Sequence, residues 1–228
     1  MKRPLTTVVL AISADGKISD YRRSPTLFGS SVDMAHLEKQ VAGVDGVLMG
    51  SGTLLAGGSA MRVTDPQLLE ERISAGLSPQ PVQIICSRTG HLKPELKFFQ
   101  QPVSRWLVST TKGESLWKNQ SYFDKIIACD TPEKAIDLTK ALQQIYSNGI
   151  SRLAVLGGGE LISSLMAEDL IDEIWLTVCP LIIGGATSPT PVDGKGFVTE
   201  MAPRLELMEI KPIANEVFLH YRVHREGD

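Results

Sequence analysis

The sequence is poor in cysteine, with only Cys86, Cys129 and Cys179. An odd number of cysteines without C-x-x-C spacing indicates neither a disulfide framework nor a zinc site, and no other metal site is expected. Each cysteine lies in or beside an apolar run, which predicts buried free thiols in a reducing compartment. We therefore expect a cytoplasmic protein.

Long basic and long apolar runs are also missing. The 23 Lys and Arg residues are outnumbered by 26 Asp and Glu residues, so we expect no nucleic-acid partner. The N-terminal apolar run is interrupted by Asp15, is too short to cross a membrane and lacks a signal-peptide layout. A length of 228 residues with 43% hydrophobic and 21% charged residues predicts one soluble globular domain over residues 1–228.

Apolar strand patterns alternate with helical patterns along the chain, which favours an α/β fold with a largely parallel sheet. The predicted strands are Leu5–Ile12, Gly46–Met49, Val82–Cys86, Arg105–Val108, Lys125–Ala128, Arg152–Leu156, Glu173–Val178, Leu205–Ile210 and Glu216–Val223. The predicted helices are Val32–Ala42, Pro66–Ala75, Pro132–Tyr146 and Glu160–Ala167. Thr131-Pro132 is typical of a helix start and Asn148-Gly149 of a helix end. Lys211–Asn215 is too short for a crossover helix, so the last two strands should pair antiparallel.

Three consecutive glycines, Gly157, Gly158 and Gly159, separate the apolar run Leu153–Leu156 from a helical pattern. A turn of this kind presents backbone N–H groups at a helix N-terminus, where the helix dipole favours an anion. Glycine also lets a ligand approach without obstruction by a Cβ atom. The pattern indicates a cradle for nucleotide phosphates, although it is not the G-x-G-x-x-G dinucleotide motif. A tight strand-to-helix connection without a ligand is the alternative.

Two further glycine loops follow, at Gly184-Gly185 and at Val192-Asp193-Gly194-Lys195-Gly196-Phe197. Irregular loops at strand ends commonly carry binding residues. Together with the triple glycine, they suggest one rim of a sheet that is shaped around a ligand.

The order of these motifs resembles the pyrimidine reductases of riboflavin biosynthesis. The C-terminal motifs are GGG-x-L, L-I-DE, P-L-I-I-GG and VDGKGF, and the N-terminal ones are Ser13-Ala14-Asp15-Gly16-Lys17 and the segment 44–54, VDGVLMGSGTL. The resemblance covers essentially the whole chain, and it extends to both the stand-alone reductases of archaea and fungi and the reductase half of the bacterial bifunctional deaminase-reductase. It implies a dihydrofolate-reductase-like three-layer fold, with a mostly parallel central sheet and antiparallel C-terminal strands. It also implies a homodimer that uses NADPH to reduce C1′ of the ribosyl group of 5-amino-6-(5-phosphoribosylamino)uracil.

The resemblance assigns roles on the cofactor side residue by residue. The matched cofactor positions are Ala11 at the nicotinamide end, Thr53, Ser87, and the phosphate loop with its first helical turn, Gly157, Gly158, Gly159, Glu160 and Leu161. Lys17 is the candidate catalytic residue, since an ammonium group could stabilise developing charge or bind the sugar. A hydroxyl that caps its own turn is the alternative for Thr53 and Ser87, and an exposed turn lysine is the alternative for Lys17.

The substrate side departs from the family pattern. Leu156 stands where the family has a glutamate, Gly57-Gly58-Ser59 replaces an Asp-Asp-Pro, and two expected arginines fall on Val41 and Thr64. Arginine is the natural reader of a sugar phosphate, so the loss of both weakens the substrate assignment. The remaining substrate candidates are Met61, Arg62 and Leu156.

Two other functions stay open. The aliphatic Leu156 before the glycines also resembles dihydrofolate reductases, which keep a buried acid on their first long helix. Asp33 and Glu38 lie in that region without the expected motif, so we rank pyrimidine reduction above reduction of dihydrofolate or another substrate. A non-catalytic nucleotide-binding module is the second alternative.

Overall fold

A computed structural model describes residues 2–25 and 28–224. These residues divide into two compact units. Unit 1 holds residues 2–5 and 38–154, and unit 2 holds residues 6–25, 28–37 and 155–224.

Unit 1 is an α/β unit whose strands follow the order β5-β4-β3-β2-β6. Its elements are β2 (Gly46–Gly50), α2 (Ser51–Gly57), α3 (Pro66–Ser74), β3 (Val82–Cys86), β4 (Arg105–Ser109), α4 (Thr111–Glu114), β5 (Lys125–Ala128), α5 (Leu138–Ser147) and β6 (Arg152–Val155), with a short 3-10 helix at Lys97–Gln100. Strands β2, β3, β4 and β5 pair in parallel. Ile84, Ile85 and Leu107 are fully buried, as expected for parallel strands that are covered on both faces.

Unit 2 contains the antiparallel strands, in the order β1-β7-β9-β8. Its elements are β1 (Leu5–Ser13), the start of α1 (Ser31–Ala42), α6 (Gly159–Ala167), β7 (Glu173–Cys179), a 3-10 helix at Thr199–Met201, β8 (Arg204–Ile213) and β9 (Glu216–His224). Strand β1 pairs in parallel with β7, whereas β9 pairs antiparallel with both β7 and β8. The predicted fold class, a mostly parallel sheet with antiparallel C-terminal strands, is confirmed.

The start of α5 was predicted wrongly. The helix begins at Leu138 rather than at Pro132, and the Asp137 side chain caps it by accepting from the Lys140 N–H at 2.9 Å. The segment before it forms a turn in which Lys134 has a φ of 62°, so Thr131 is not the helix cap. The predicted end is confirmed, since Asn148 is the C-cap and Gly149 has a φ of 94°.

Smaller differences concern the turn between β8 and β9, the helices α2 and α4, and one thiol. Strand β8 continues to Ile213, which leaves a turn of only Ala214 and Asn215. Helices α2 and α4 had not been predicted. All three cysteines are free, but Cys86 is half-buried whereas Cys129 and Cys179 are buried as predicted. A search of the described residues finds no helix with the length and apolar character needed to cross a membrane.

Candidate cofactor and substrate site

In unit 1, Thr53 and Ser87 lie at the same edge of the sheet. Strands β2 and β3 are parallel and end together, because Gly50 pairs with Cys86. Thr53 lies in the first turn of α2, directly after β2, and Ser87 directly follows β3. Thr53 is half-buried and Ser87 is 3% exposed.

The loop after β3 is held in place by side-chain hydroxyls. Ser109 donates to the Ser87 carbonyl at 2.6 Å, and Thr110 donates to the Arg88 carbonyl at 2.8 Å. The Ser87 hydroxyl accepts from the Gly90 N–H at 3.2 Å, so it does stabilise its own turn. Its hydroxyl hydrogen remains a donor that can serve a ligand.

Met61 and Arg62 lie on an extended segment that three glutamine side chains fix. Gln83 donates to the Met61 carbonyl at 3.0 Å, Gln101 accepts from the Ala60 N–H at 2.7 Å, and Gln80 bonds both backbone groups of Val63. Both substrate candidates are half-buried on this segment. The backbone that carries Arg62 is therefore already ordered. Binding of a ligand by the Arg62 side chain then costs no backbone entropy.

The positions that depart from the family pattern in unit 1 have structural roles. Val41 is fully buried, and Thr64 donates from its N–H and its hydroxyl to the Glu38 carboxylate. Gly58 ends α2 in the left-handed region with a φ of 69°, where its N–H donates to Leu54. These residues support the fold and do not offer a charge to a phosphate.

In unit 2, Asp15 ties the loop after β1 to the loop after β7. Its carboxylate accepts from the N–H groups of Ile183 at 3.0 Å and Gly184 at 2.7 Å, and from the Ser13 hydroxyl at 2.6 Å. The Ser13 hydroxyl, followed by the Ile183 N–H, lowers the pKa of Asp15 to about 2. Asp15 therefore acts as an ionised connector between the two loops.

Lys17 is held at the same strand ends. Its N–H donates to the Ser13 hydroxyl at 2.8 Å, and its Nζ donates to the Ser188 carbonyl at 3.2 Å. The side chain is half-buried. The Lys17 side chain is thus anchored rather than fully exposed, and two ammonium hydrogens remain for a ligand.

The triple glycine forms the N-terminus of α6. Gly158 is the N-cap with φ −81° and ψ −178°, and no side chain caps the helix. Gly157 has a φ of 101°, and the Gly157–Gly158 peptide bond is cis. A positive φ, which favours glycine, is thus found at Gly157 and not at Gly158. An uncapped helix N-terminus behind a glycine turn fits a phosphate group.

Gly159 packs against the loop that contains Asp193. A Cβ atom at Gly159 would lie 2.3 Å from the Thr190 carbonyl oxygen and 2.9 Å from Asp193 Oδ2. The Asp193 N–H donates to the Gly159 carbonyl at 3.2 Å, while its carboxylate accepts from the Thr190 N–H and hydroxyl at 2.9 Å each. The loop that carries the VDGKGF motif therefore packs against Gly159 and holds the predicted phosphate loop in place.

The other predicted residues of unit 2 lie at neighbouring positions. Ala11, on β1, is half-buried and pairs with Thr177 of β7. Leu156 is half-buried after β6, Glu160 is exposed in the first turn of α6, and Leu161 is buried. The structure thus brings Thr53 and Ser87 to one edge within unit 1, and it brings Lys17 and the loops of residues 181–193 together within unit 2.

Sequence reasoning missed a buried acidic cluster in unit 2. Asp33, in the first turn of α1, is 7% exposed, and Glu216, at the start of β9, is 4% exposed. Asp33 had been noted in the region where dihydrofolate reductases keep a buried acid, without the expected motif, but no local pattern links it to a residue 183 positions later in the chain. Within residues 2–25 and 28–224, no group of three or more His, Cys, Asp or Glu side chains is arranged to hold a metal ion.

Comparison with known proteins adds to this geometry. A model of the RibD C-terminal domain family matches residues 4–219. The chain belongs to this family. A 2,5-diamino-6-ribosylamino-4(3H)-pyrimidinone 5′-phosphate reductase of Archaeoglobus fulgidus is 30% identical over 207 residues, which cover 91% of this chain and 93% of the relative.

Solved structures support the same fold. A pyrimidine reductase-like protein from Corynebacterium diphtheriae has a TM-score of 0.83 at 17% identity, covering 97% of this chain and 92% of that one. A dihydrofolate reductase of Enterococcus faecalis, solved with NADP(H), has a TM-score of 0.51 at 12% identity, covering 98% and 99%. The predicted membership among riboflavin-biosynthesis reductases and the dihydrofolate-reductase-like fold are both confirmed. As a RibD-type reductase, the protein is an oxidoreductase, and reductases of this family and fold use a nicotinamide cofactor.

Proposed function

We propose that this RibD-type protein is an NADPH-dependent reductase that converts the ribosyl group of a phosphoribosylamino-pyrimidine into a ribityl group. The assignment of the cofactor rests on the N-terminus of α6, which follows Gly157 and Gly158. No side chain caps this helix end, and it therefore fits a phosphate group of the cofactor. The bound nicotinamide supplies the hydride, and the protein supplies placement and electrostatics.

The substrate is a riboflavin-pathway pyrimidine that carries a ribosylamine. The sequence pointed to 5-amino-6-(5-phosphoribosylamino)uracil, while the Archaeoglobus relative is named for the 2,5-diamino compound. The two differ on the pyrimidine ring and share the ribosyl group at which reduction occurs. We therefore propose the ribosylamine phosphate as the common recognition element and test both rings.

Each candidate side chain has a proposed task. Lys17 binds oxygen atoms of the ribosyl group, since its Nζ has hydrogens left after donating to Ser188. Thr53 and Ser87 bind the cofactor from the edge formed by β2 and β3. Arg62 binds the phosphate of the substrate, and Met61 on the same segment and Leu156 after β6 each offer the substrate an apolar contact.

The choice of NADPH over NADH rests on the loop after β3. Arg88 directly follows Ser87 and is exposed, while its backbone is held by Thr110. A guanidinium on a fixed backbone is suited to a phosphate monoester such as the 2′-phosphate that distinguishes NADPH.

We also propose a cytoplasmic homodimer. Strand β8 ends the strand order of unit 2 and is exposed along nearly its whole length. Its exposed apolar side chains are Leu205, Leu207, Met208 and Ile210. A long apolar edge strand is a site for pairing with another chain. Sedimentation of wild type and Leu207→Lys tests this, since a monomeric wild type contradicts it.

Parallel assays test the proposed function. NADPH oxidation is followed with the 2,5-diamino compound, with 5-amino-6-(5-phosphoribosylamino)uracil and with dihydrofolate, and the product is identified by mass spectrometry. We expect turnover of at least one pyrimidine, with the gain of two hydrogen atoms. Turnover of dihydrofolate alone would assign the protein to folate reduction, which Leu156 allows. NADPH binding without any turnover would favour another substrate or a non-catalytic nucleotide-binding module.

A further inference from the structure

Residues 188–193 form a loop of unit 2 that contacts the turn carrying Lys17. The Lys17 Nζ donates to the Ser188 carbonyl at 3.2 Å, and the N–H of the next residue, Ile18, donates to the Pro189 carbonyl at 3.0 Å. Ser188 is buried, so water has little access to this contact. These two bonds set the position of the ammonium group to which the proposed function assigns the ribosyl group.

The same loop contacts the N-terminus of α6 at its other end. The Asp193 N–H donates to the Gly159 carbonyl at 3.2 Å. This carbonyl shares a trans peptide unit with the Glu160 N–H, and the two groups of such a unit point in opposite directions. The bond therefore helps to fix the direction of an N–H group that the start of the helix leaves free for a phosphate.

The Asp193 carboxylate closes the loop between these two contacts. Its Oδ1 accepts from the Thr190 N–H and from the Thr190 hydroxyl, both at 2.9 Å. Its Oδ2 faces Gly159, where a Cβ atom would lie 2.9 Å away. One side chain thus holds Thr190, which directly follows Pro189, and packs on the first turn of α6.

Two prolines, Pro189 and Pro191, flank Thr190 and make the loop stiff. Proline fixes its own φ at about −65° and keeps the preceding residue, here Ser188 or Thr190, out of helical conformations. Few backbone torsions between Ser188 and Thr190 are then free to absorb a displacement. A shift of Thr190 therefore also moves the Ser188 carbonyl, which is the acceptor for Lys17.

We propose that Asp193 is a positioning residue for the reduction; this rests on the proposed function, in which Lys17 binds the ribosyl group and α6 binds the cofactor. By holding Thr190, the Asp193 carboxylate keeps the Ser188 carbonyl in place for Lys17. By its N–H, Asp193 orients the phosphate loop at Gly159. One residue thus fixes the ammonium group and the phosphate site relative to each other.

The position of Oδ1, and not the charge of Asp193, carries this role. Both donors to Oδ1 are neutral groups of Thr190. Among the hydrogen bonds and ion pairs of residues 2–25 and 28–224, none joins Asp193 to a lysine or an arginine. Asparagine at this position keeps an oxygen that accepts the same two bonds, whereas alanine removes it.

Kinetics of three variants test the positioning role. Asp193→Ala should lower kcat for the pyrimidine by at least about tenfold, since a displacement of about 1 Å in a catalytic group has large effects on rate. It should also weaken NADPH binding, measured by isothermal titration. Asp193→Asn should retain most of the activity, and Glu200→Gln, at an exposed acid of the same unit, is the control and should change neither quantity. An Asp193→Asn variant as slow as Asp193→Ala overturns the proposal.

A double-mutant cycle with Lys17→Ala separates positioning from a general loss of stability. The rates are measured at saturating NADPH and pyrimidine, at a temperature at which melting curves show every variant to be folded. Because Asp193 acts on kcat through Lys17, the double variant should be about as slow as Lys17→Ala alone. Losses in kcat that multiply fully overturn the proposal.

Acylation of Lys17 tests its attachment to the loop without cofactor or substrate. With acetic anhydride as the reagent and peptide mass spectrometry as the measurement, Lys17 should react faster in Asp193→Ala than in the wild type and in Asp193→Asn. Lys118, an exposed lysine of unit 1, is the internal reference. Equal Lys17 rates in the wild type and Asp193→Ala overturn the proposal. If the wild type neither binds NADPH nor reduces a pyrimidine, the proposed function falls, while the labelling still decides whether Asp193 positions Lys17.

Discussion

The carboxylate of Asp15 accepts a hydrogen bond from the N–H of Gly184 at 2.7 Å, across 169 positions of the chain. With a second bond from Ile183, it joins the turn that carries Lys17 to the loop after β7. The order of these loops therefore depends on one ionised side chain, and this makes their stability sensitive to acid.

We expect this connection to weaken as pH falls from about 4, the usual pKa of an aspartate, towards the pKa of about 2 that Asp15 has in the folded protein. A lowered folded-state pKa contributes stability above the unfolded-state value, and protonation removes that contribution. Asp15→Asn should lower the melting temperature at neutral pH and reduce the loss of stability over this acid window. Melting curves against pH provide the measurement, and Glu200→Gln, at an exposed carboxylate, is the control. Equal pH dependence in Asp15→Asn and wild type would contradict the role of Asp15.

The second prediction concerns Gly159, which has no room for a side chain. Gly159→Ala places a Cβ atom 2.3 Å from the Thr190 carbonyl oxygen, so the loop of residues 190–193 must move. We expect a loss of stability of about 1–3 kcal/mol, as for other overpacked sites. Urea unfolding measures it, and Gly57→Ala, where nothing lies within 4 Å of the added atom, is the matched control. A Gly159→Ala variant as stable as Gly57→Ala would show that the loop is not packed here.

The third prediction separates binding from stability at the neighbouring glycine. Gly158 has a φ of −81° and an extended ψ, which valine adopts readily. Gly158→Val should therefore cause no strain in φ or ψ but should weaken NADPH binding by at least about tenfold, a change of about 1.4 kcal/mol, because the side chain occupies the phosphate position. Isothermal titration measures this. No NADPH binding by the wild type would contradict the cofactor assignment itself.

The fourth prediction concerns the choice of nicotinamide nucleotide. Arg88→Ala should weaken NADPH binding by about tenfold and leave NADH binding unchanged, because a charge-assisted contact to the 2′-phosphate is lost. Lys118→Ala, at another exposed cation of unit 1, is the control. Equal losses for both nucleotides would place Arg88 away from the 2′-phosphate.

Local patterns in the sequence account for much of the fold. The strands were predicted because runs of β-branched and aliphatic residues are separated by segments of turn residues. Both ends of Val82–Cys86 and of Lys125–Ala128 were predicted correctly. The start of α5 was not predicted correctly, because both Thr131-Pro132 and Asp137 are suitable residues for a helix N-terminus. Asp130 and Ile136 form an antiparallel β-bridge, so the residues between them are in a turn and the helix starts later. Helix propensities do not predict such a contact.

The candidate site divides in the same way. Glycine loops at strand ends are local signals, so the turn at Gly157 and the loops near Gly184 and Asp193 could be found from the sequence. The proximity of Asp33 and Glu216 could not be predicted from the sequence, because it depends on α1 lying against the start of β9. The burial that raises the pKa of Asp33 arises only when the helix and the strand are packed.

The last prediction tests whether Leu156 limits the activity on pyrimidines. Leu156 is half-buried directly before the phosphate loop, at the position where the family resemblance places a glutamate. A carboxylate there could accept a hydrogen bond from a ribose hydroxyl, worth about 1–3 kcal/mol, so Leu156→Glu should raise kcat/KM for the pyrimidine by about tenfold. Leu156→Met, which keeps an apolar side chain of similar volume, is the control and should leave kcat/KM unchanged. If Leu156→Glu folds but lowers kcat/KM, the ribose hydroxyls are bound elsewhere, and leucine then belongs to a substrate site that differs from the one the family resemblance implies.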